Sequence, residues 1–389
     1  MEKVQLKKIT TIINGSTPST ADPNNWDGDI PWITPKDLST FHQRFIHRGE
    51  RNITEAGYNS CSTTMVPKGT VLLTSRAPIG YLAIADNPMC TNQGFKSLVC
   101  DESQIIPLYL YYWLSTKVEY LKGISGGATF KELSKTTLEN VEIALPSIAE
   151  QRHIVGTIGS VDDLIEKDLT ILNNLDSILF KKNKLFIAKN GFSNIPLADL
   201  VLKEIKGNWG YEEPQNGCLE AFVLRGTDIA SLDKYEEINP PKRYIKEKSI
   251  LADKLENLDV VIEMSGGGPK QPTGRSWLFD SCLFDGPVMC SNFCRGIRCR
   301  GITETAIFYL SMKDLYDRRI TYTYELGTTG IKNLNIAKLL SEQFVPNLAN
   351  EEKEELTILF SRSQKYRSSL SKEINILKKQ KAVLLAKYF

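Results

Sequence analysis

The sequence predicts two α/β (α+β) domains of one design, joined by two long helices that form an antiparallel coiled coil, a pseudo-two-fold internal repeat. Three observations predict it. Ile158, Ile165, Leu172, Leu179 and Phe186 recur every seventh residue. Ile154, Val161 and Leu175 run three or four positions out of phase with them, an a/d seam interrupted by Asp168 and Lys182. Near the end of the chain Leu356, Leu370, Leu377 and Leu384 hold one heptad phase, broken at Ser363, while Phe360, Ile374 and Tyr388 hold the other. Between these helices lies a diverged copy of what precedes the first.

Residues 1–145 read as the first domain. Turn clusters at 14–20 and 26–29 precede a short strand at 30–34, which ends at Pro35-Lys36-Asp37. Strands at 70–75 and 81–85 flank Arg76-Ala77-Pro78-Ile79-Gly80. The turn Met89-Cys90-Thr91-Asn92-Gln93-Gly94 leads into a strand at 96–100, then a helix at 107–121, a glycine loop at 123–131 and a last strand at 138–145. Leu145-Pro146-Ser147 closes the domain, and Glu150, Gln151 and Asp162-Asp163 put acidic and amide groups into the early turns of the first long helix, 146–190. Its run from Ile154 to Phe186 alone makes a helix roughly 50 Å long, more than one small domain can bury.

The second domain, 191–345, repeats that order. Val223 to Ile229 stands for Trp32 to Leu38, Asp259 to Glu263 for the strand at 70–74, Met289-Cys290-Ser291-Asn292 for Met89 to Asn92, and Gly327 to Lys332 for the glycine loop. Val345-Pro346-Asn347-Leu348-Ala349 then echoes Leu145-Pro146-Ser147-Ile148-Ala149 and opens the second long helix, 346–389. A link of about ten residues between the first helix and the second domain spans at most ~35 Å. The second domain therefore begins near the far end of the first helix, which favours antiparallel pairing and termini that lie near each other.

No apolar run approaches the ~20 residues of a membrane span. The first residues lack a signal-peptide core, so the expectation is a cytoplasmic protein. A net charge of +2 requires any basic surface to be local. Eight cysteines form no Cys-x-x-Cys pair and only three histidines are present, so buried reduced thiols in strands are favoured over zinc.

Enzyme look-alikes fail one by one. Asn239-Pro240-Pro241-Lys242 lacks the aromatic residue that a base-flipping methyltransferase stacks on its target, and no glycine-rich fingerprint for adenosylmethionine precedes it. Ser265-Gly266-Gly267-Gly268-Pro269-Lys270 has a proline before the lysine and no following helix, unlike a phosphate loop. Asp199 with Glu204 and Lys206 resembles a nuclease cluster only in letters. What remains suits nucleic acid: loops at matching places that carry amides, hydroxyls and cations. In the first domain these are Ser16, Thr17, Thr34, Lys36, Arg76, Asn92, Gln93, Thr129 and Lys131. In the second they are Trp209, Arg225, Lys270, Gln271, Arg275, Asn292, Arg295, Thr328 and Lys332. Arg, Asn and Gln offer paired contacts to base edges, while Lys, Ser and Thr suit phosphates.

Gly15-Ser16-Thr17-Pro18-Ser19, the run from Trp26 to Leu38, and Leu145-Pro146 through Ala149-Glu150-Gln151-Arg152 carry a resemblance. With the domain–helix–domain–helix order, the chain resembles the specificity (DNA-recognition) subunit of type I restriction-modification systems. Two departures stand in the second half: Asn350-Glu351-Glu352 replaces Glu-Gln, and no Gly-Ser-Thr-Pro lies near residue 207. The resemblance implies two target-recognition domains, each reading half of a bipartite double-stranded DNA site, and helices that space them and dock two methylation subunits. Those subunits would bind S-adenosylmethionine, and a motor-nuclease subunit would use ATP and Mg. This chain would bind no cofactor and hold no active site. The alternatives are a specificity module of a type II system with fused methylation and cleavage activities, or a self-contained DNA methyltransferase or nuclease.

Overall fold

The computed structural model describes residues 2–39, 41, 43–127, 131–236, 238–266, 271–327 and 332–389. The chain divides into two compact units, Met1–Lys167 with Ile376–Phe389, and Asp168–Asn375.

In the first unit five strands stand in the order Thr10–Asn14, Phe95–Cys100, Val71–Ser75, Ile79–Ala85 and Phe45–Ile46. Val71–Ser75 is central and buried along its length, as its unbroken apolar and hydroxyl run requires. Helix Pro107–Thr116 buries Tyr109, Leu110, Tyr112 and Leu114 in the same core as Val71 and Leu73. A second sheet joins Arg51–Ile53, Trp26–Ile33 and Cys90–Thr91. Glu2–Gln5 pairs antiparallel with Glu142–Leu145, so the entry and exit of the domain are clasped together.

The second unit repeats this plan. Its main sheet runs Val201–Ile205, Cys294–Cys299, Val260–Glu263 and Ser276–Leu278, and a second sheet runs Lys242–Lys246, Cys218–Leu224 and Val288–Cys290. Phe192–Pro196 and Phe344–Pro346 form the equivalent clasp. The registers agree: Val71 faces Leu98 and Ile84, and Val260 faces Ile297 and Leu278. A small sheet of Ser265–Gly266, Lys332–Leu334 and Glu325–Leu326 has no counterpart among the described residues of the first unit.

Several sequence expectations are corrected. The matched turns are one residue out of step. Asn92 N–H donates to Ile33 O (3.0 Å) where Ser291 N–H donates to Leu224 O (2.8 Å), so Asn92 corresponds to Ser291 and Gln93 to Asn292. The backbone ladder, not the shared letters, sets the register. The expected last strand begins as a helix, Lys135–Glu139, capped by the Ser134 hydroxyl, and only Glu142–Leu145 is extended. The helix expected at 107–121 breaks at Lys117 into Pro107–Thr116 and Val118–Gly123. All eight cysteines are free, yet Cys61 and Cys282 lie outside strands, and Cys61, Cys100, Cys218 and Cys282 are only half-buried. No described helix is long and apolar enough to cross a membrane.

The long helices span Ile148–Asn190 and Asn350–Tyr388. The first begins at a capping box: Ser147 N–H and hydroxyl both donate to Glu150 Oε2, at 2.9 and 2.8 Å. Fully buried Gln151 accepts from Ile106 N–H and donates to Gln104 O and Pro146 O, tying the helix start to its domain. At the second helix Glu352 takes the place of Glu150, accepting from Ala349 N–H at 3.0 Å.

In each unit the two helices run antiparallel. In the first, His153 meets Tyr388 and Asp162 pairs with Lys381 at 2.7 Å. In the second, Asp176 pairs with Arg367, Lys182 with Glu355 at 2.6 Å and Lys189 with Glu352 at 2.8 Å. The apolar line Ile158, Ile165, Leu172, Leu179 and Phe186 is buried as its spacing requires. Its companion line differs from the expectation, for Val161 and Leu175 are only half-buried and Asp162 and Asn183 go under instead. Arg367 and Lys381 fill the two gaps in the phase of Phe360, Ile374 and Tyr388. The seam is polar where two oppositely charged residues face each other, and the carboxylates gain a phenol as well: Tyr112 donates to Asp162 (2.8 Å) and Tyr235 to Asp176 (2.7 Å).

Hydrogen bonds from Lys189, Ala349 N–H and Asn190 hold the Glu352 carboxyl down to about 2, from an ordinary 4.5. Its folded value is depressed, so its contribution is complete above 4.5 and is lost as pH falls through about 2. The melting-temperature gap between wild type and Glu352→Gln is expected to be widest near neutrality and to shrink across that acid window. A gap independent of pH would refute this account.

Candidate nucleic-acid interface

In the first unit the candidate residues converge on the turn that follows Cys90–Thr91. Gly15 is forced there: a side chain would meet Thr91 O and Asn92 O, each at 2.2 Å. Ser16 N–H donates to Thr91 O (3.0 Å), and the Thr17 hydroxyl donates to Gln93 Oε1. Asn92 Oδ1 accepts from Gly94 N–H at 2.9 Å, closing the turn and leaving Gln93 exposed. Thr34 caps the short helix Pro35–Leu38 in a capping box with Asp37, so its hydroxyl is engaged. Lys36 projects from that helix, exposed and bound to Glu50, which raises its ammonium above the usual value.

Gly94 O accepts from Ser75 N–H (2.7 Å) and so joins this turn to the end of the central strand, which Arg76 follows. Arg76 lies 3.7 Å from Glu132, and Glu132 is also 3.8 Å from Lys96 Nζ. Sequence reading missed Lys96 because it sits in a strand that otherwise reads as core, Phe95–Cys100. Lys131 is exposed, and its ammonium lies 3.5 Å from Lys122 O. Thr129 lies outside the described residues.

The second unit places equivalent groups on the same scaffold. A side chain at Gly207 would meet Ser291 O at 2.0 Å, so this glycine repeats Gly15 although the letters around it differ. Asn208 N–H donates to Cys290 O (2.8 Å) as Ser16 does to Thr91 O. Trp209 stacks under Arg243, 4.7 Å from its ring centre. Arg225 stands where Thr34 stands and is held in a fork by Asp228, at 2.9 and 2.8 Å, which raises the guanidinium above its usual value. Asn292 is exposed on the turn next to Phe293, an exposed aromatic that sequence reading passed over because nothing in its spacing marks a turn tip.

Arg295 pairs with Glu204 (2.8 Å), so Glu204 serves an ion pair and no nuclease cluster. Arg275 lies 4.0 Å from Glu263 and bonds the Tyr316 hydroxyl, largely buried. Lys332 is half-buried on Glu325 (2.9 Å), which raises its ammonium, and Gln271 is exposed. Lys270 and Thr328 lie outside the described residues. Among the described residues no group of three or more His, Cys, Asp or Glu is placed to hold a metal ion.

Comparison with known proteins agrees with this geometry. Residues 1–177 match the family model described as the type I restriction modification DNA specificity domain. The MjaIX specificity subunit of a type I restriction enzyme from Methanocaldococcus jannaschii is 49% identical over 212 residues, 53% of this chain and 48% of that protein. The HindI specificity subunit from Haemophilus influenzae is 30% identical over 148 residues, 38% and 32% of the two chains. The matches thus span at most about half the length of these relatives. The crystal structure of the type I S subunit from M. genitalium shares the fold at a TM-score of 0.54 and 14% identity, covering 100% of this chain and 96% of that one. Residues 1–177 thus match the DNA specificity domain of type I restriction-modification systems, and the chain as a whole, with its paired α/β units and helices that run antiparallel in each, has the fold of a solved type I S subunit.

Proposed function

We propose that residues 1–145 and 191–345 are two target-recognition domains, each reading one half of a bipartite double-stranded DNA site. The single observation that carries this reading is the repeat itself. The same glycine-pinned turn, strand end and capped helix recur in both units with different side chains: Thr34 against Arg225, Gln93 against Asn292, Gly94 against Phe293. One scaffold with two surfaces suits two different half-sites. The candidate side chains from Ser16 to Lys332 named above supply the contacts. The chain itself performs no chemistry; methylation subunits would bring S-adenosylmethionine, and a motor-nuclease subunit ATP and Mg.

Replacing residues 1–145 with the corresponding domain of another family member, then sequencing the methylated genome, tests the reading. One half of the methylated motif is expected to change and the other to persist. Loss of both halves would contradict independent readers.

The helices at 146–190 and 346–389 fix the spacer and dock two methylation subunits in this reading. Leu164, Ile171, Ile178 and Leu185 recur every seventh residue and are all exposed, a second heptad stripe that flanks the buried line of the first helix. Ile171→Lys with Ile178→Lys is expected to abolish co-purification of the methylation subunits while leaving the melting temperature within a degree or two. Retained co-purification would put docking elsewhere.

A further inference from the structure

Glu132 lies between two cations of the first unit, 3.7 Å from Arg76 and 3.8 Å from Lys96. Lys96 is the unusual member. Its side chain is only 7% exposed, and among the described residues its ammonium has one further contact, 3.4 Å to the Ser75 hydroxyl. Burial pulls that ammonium below its usual value; Glu132 opposes the shift and the nearby Arg76 reinforces it. A buried cation beside a second cation needs an anion. Glu132 supplies it from the segment that follows the glycine loop, with its backbone N–H on Gly126 O at 2.8 Å. A carboxylate and a phosphodiester offer the same thing here, anionic oxygens that accept charge-assisted hydrogen bonds.

The second unit repeats the placement with a different carboxylate. Arg295 faces Ile262 on the strand pair where Lys96 faces Leu73, and it is paired with Glu204. A cation at this strand position, balanced by a carboxylate drawn from elsewhere in the unit, is thus common to both.

We propose that Arg76 and Lys96 form a binding site for one backbone phosphate of DNA, and that Glu132 occupies this site in the free chain. The proposal rests on the DNA-recognition reading above. Arg76 and Glu132 are both partly exposed, so their pair contributes little, and a phosphate that takes the carboxylate's place still leaves the buried Lys96 with an anion. The carboxylate also keeps the chain from clinging to every duplex it meets, because any DNA must first displace it.

The test measures binding of the full chain to a random-sequence duplex and to a duplex carrying its methylated motif, across a salt series. Glu132→Gln keeps the shape and removes the charge. It is expected to tighten binding to both duplexes by the same factor, about fivefold, with a salt slope steeper by about one unit. Lys96→Met is expected to weaken both equally and to flatten the slope by about one unit. The lysine variant leaves Glu132 with Arg76, so it tests the site even if Glu132→Gln does not fold. Folded Glu132→Gln with unchanged affinity, Lys96→Met that binds like wild type, or a gain confined to the motif duplex would each overturn the phosphate site. A wild-type chain that binds both duplexes equally would instead overturn the recognition reading and leave the phosphate site standing.

Discussion

Arg367→Met is expected to lower stability by about 3–5 kcal/mol, the cost of removing one member of a buried charged pair. Arg367 is 9% exposed, in the helix–helix seam of the second unit. Burial alone would push its guanidinium down, yet Asp176, with Tyr235 and Tyr309 nearby, raises it above the usual value. Without the arginine, Asp176 keeps one hydrogen bond, from the Tyr235 hydroxyl, and loses its counter-charge. The reciprocal test is the double variant Asp176→Leu with Arg367→Met, which replaces the pair with apolar side chains of similar length. It is expected to recover most of the loss, because well-packed apolar groups substitute for a buried ion pair at little net cost. Urea unfolding of the wild type, the single variant and the double variant measures both effects. A double variant as unstable as the single would show that the pair is needed for more than mutual neutralisation.

Gly15→Ala is expected to abolish recognition of one half-site while the other is still read. A methyl group there would stand 2.2 Å from two backbone carbonyls, Thr91 O and Asn92 O, against which no side chain can yield. The turn bearing Asn92 and Gln93 must move away from Ser16 and Thr17, and the four candidate groups part company. Gly207→Ala is expected to do the same to the other half-site through Ser291 O, only 2.0 Å away. Methylated-genome sequencing of the two variants reads the outcome as two complementary degenerate motifs. Intact motifs in both would show that the turn is no part of the reading surface.

The contrast between these two predictions shows where sequence is informative. The buried heptad line from Ile158 to Phe186 was legible because one helix face repeats every seventh residue whatever it packs against. The match of Val223–Ile229 to Trp32–Leu38 was legible for a similar reason, since strand end, cap and acidic third residue are local. The polar half of the seam was not, because Asp162 and Asp176 look like solvent-facing residues until Lys381 and Arg367, about 200 residues away in sequence, are set against them. Lys96 was missed on the same grounds, as its partner Glu132 arrives from another segment. Gly207 could have been recognised only from the carbonyl it must pass, which no neighbouring letter encodes. Nearly all the described candidate cations are held by carboxylates, a property of the fold rather than of composition.

Each domain also begins and ends in one place. Glu2–Gln5 lies hydrogen-bonded beside Glu142–Leu145, and Phe192–Pro196 beside Phe344–Pro346. A segment whose two ends meet in a short strand pair can be cut out and replaced without re-threading its neighbours, since a newcomer need only restore two adjacent strand ends. At the level of the gene, crossovers near these two points would exchange a whole reading head in a single event. The strand pair asks little of sequence, because its hydrogen bonds come from the backbone and tolerate nearly any side chain but proline at a donor position. The geometry therefore lends itself to inheritance in cassettes: under the two-reader proposal, new binding preferences would be acquired by trading halves, with the helices kept as the frame.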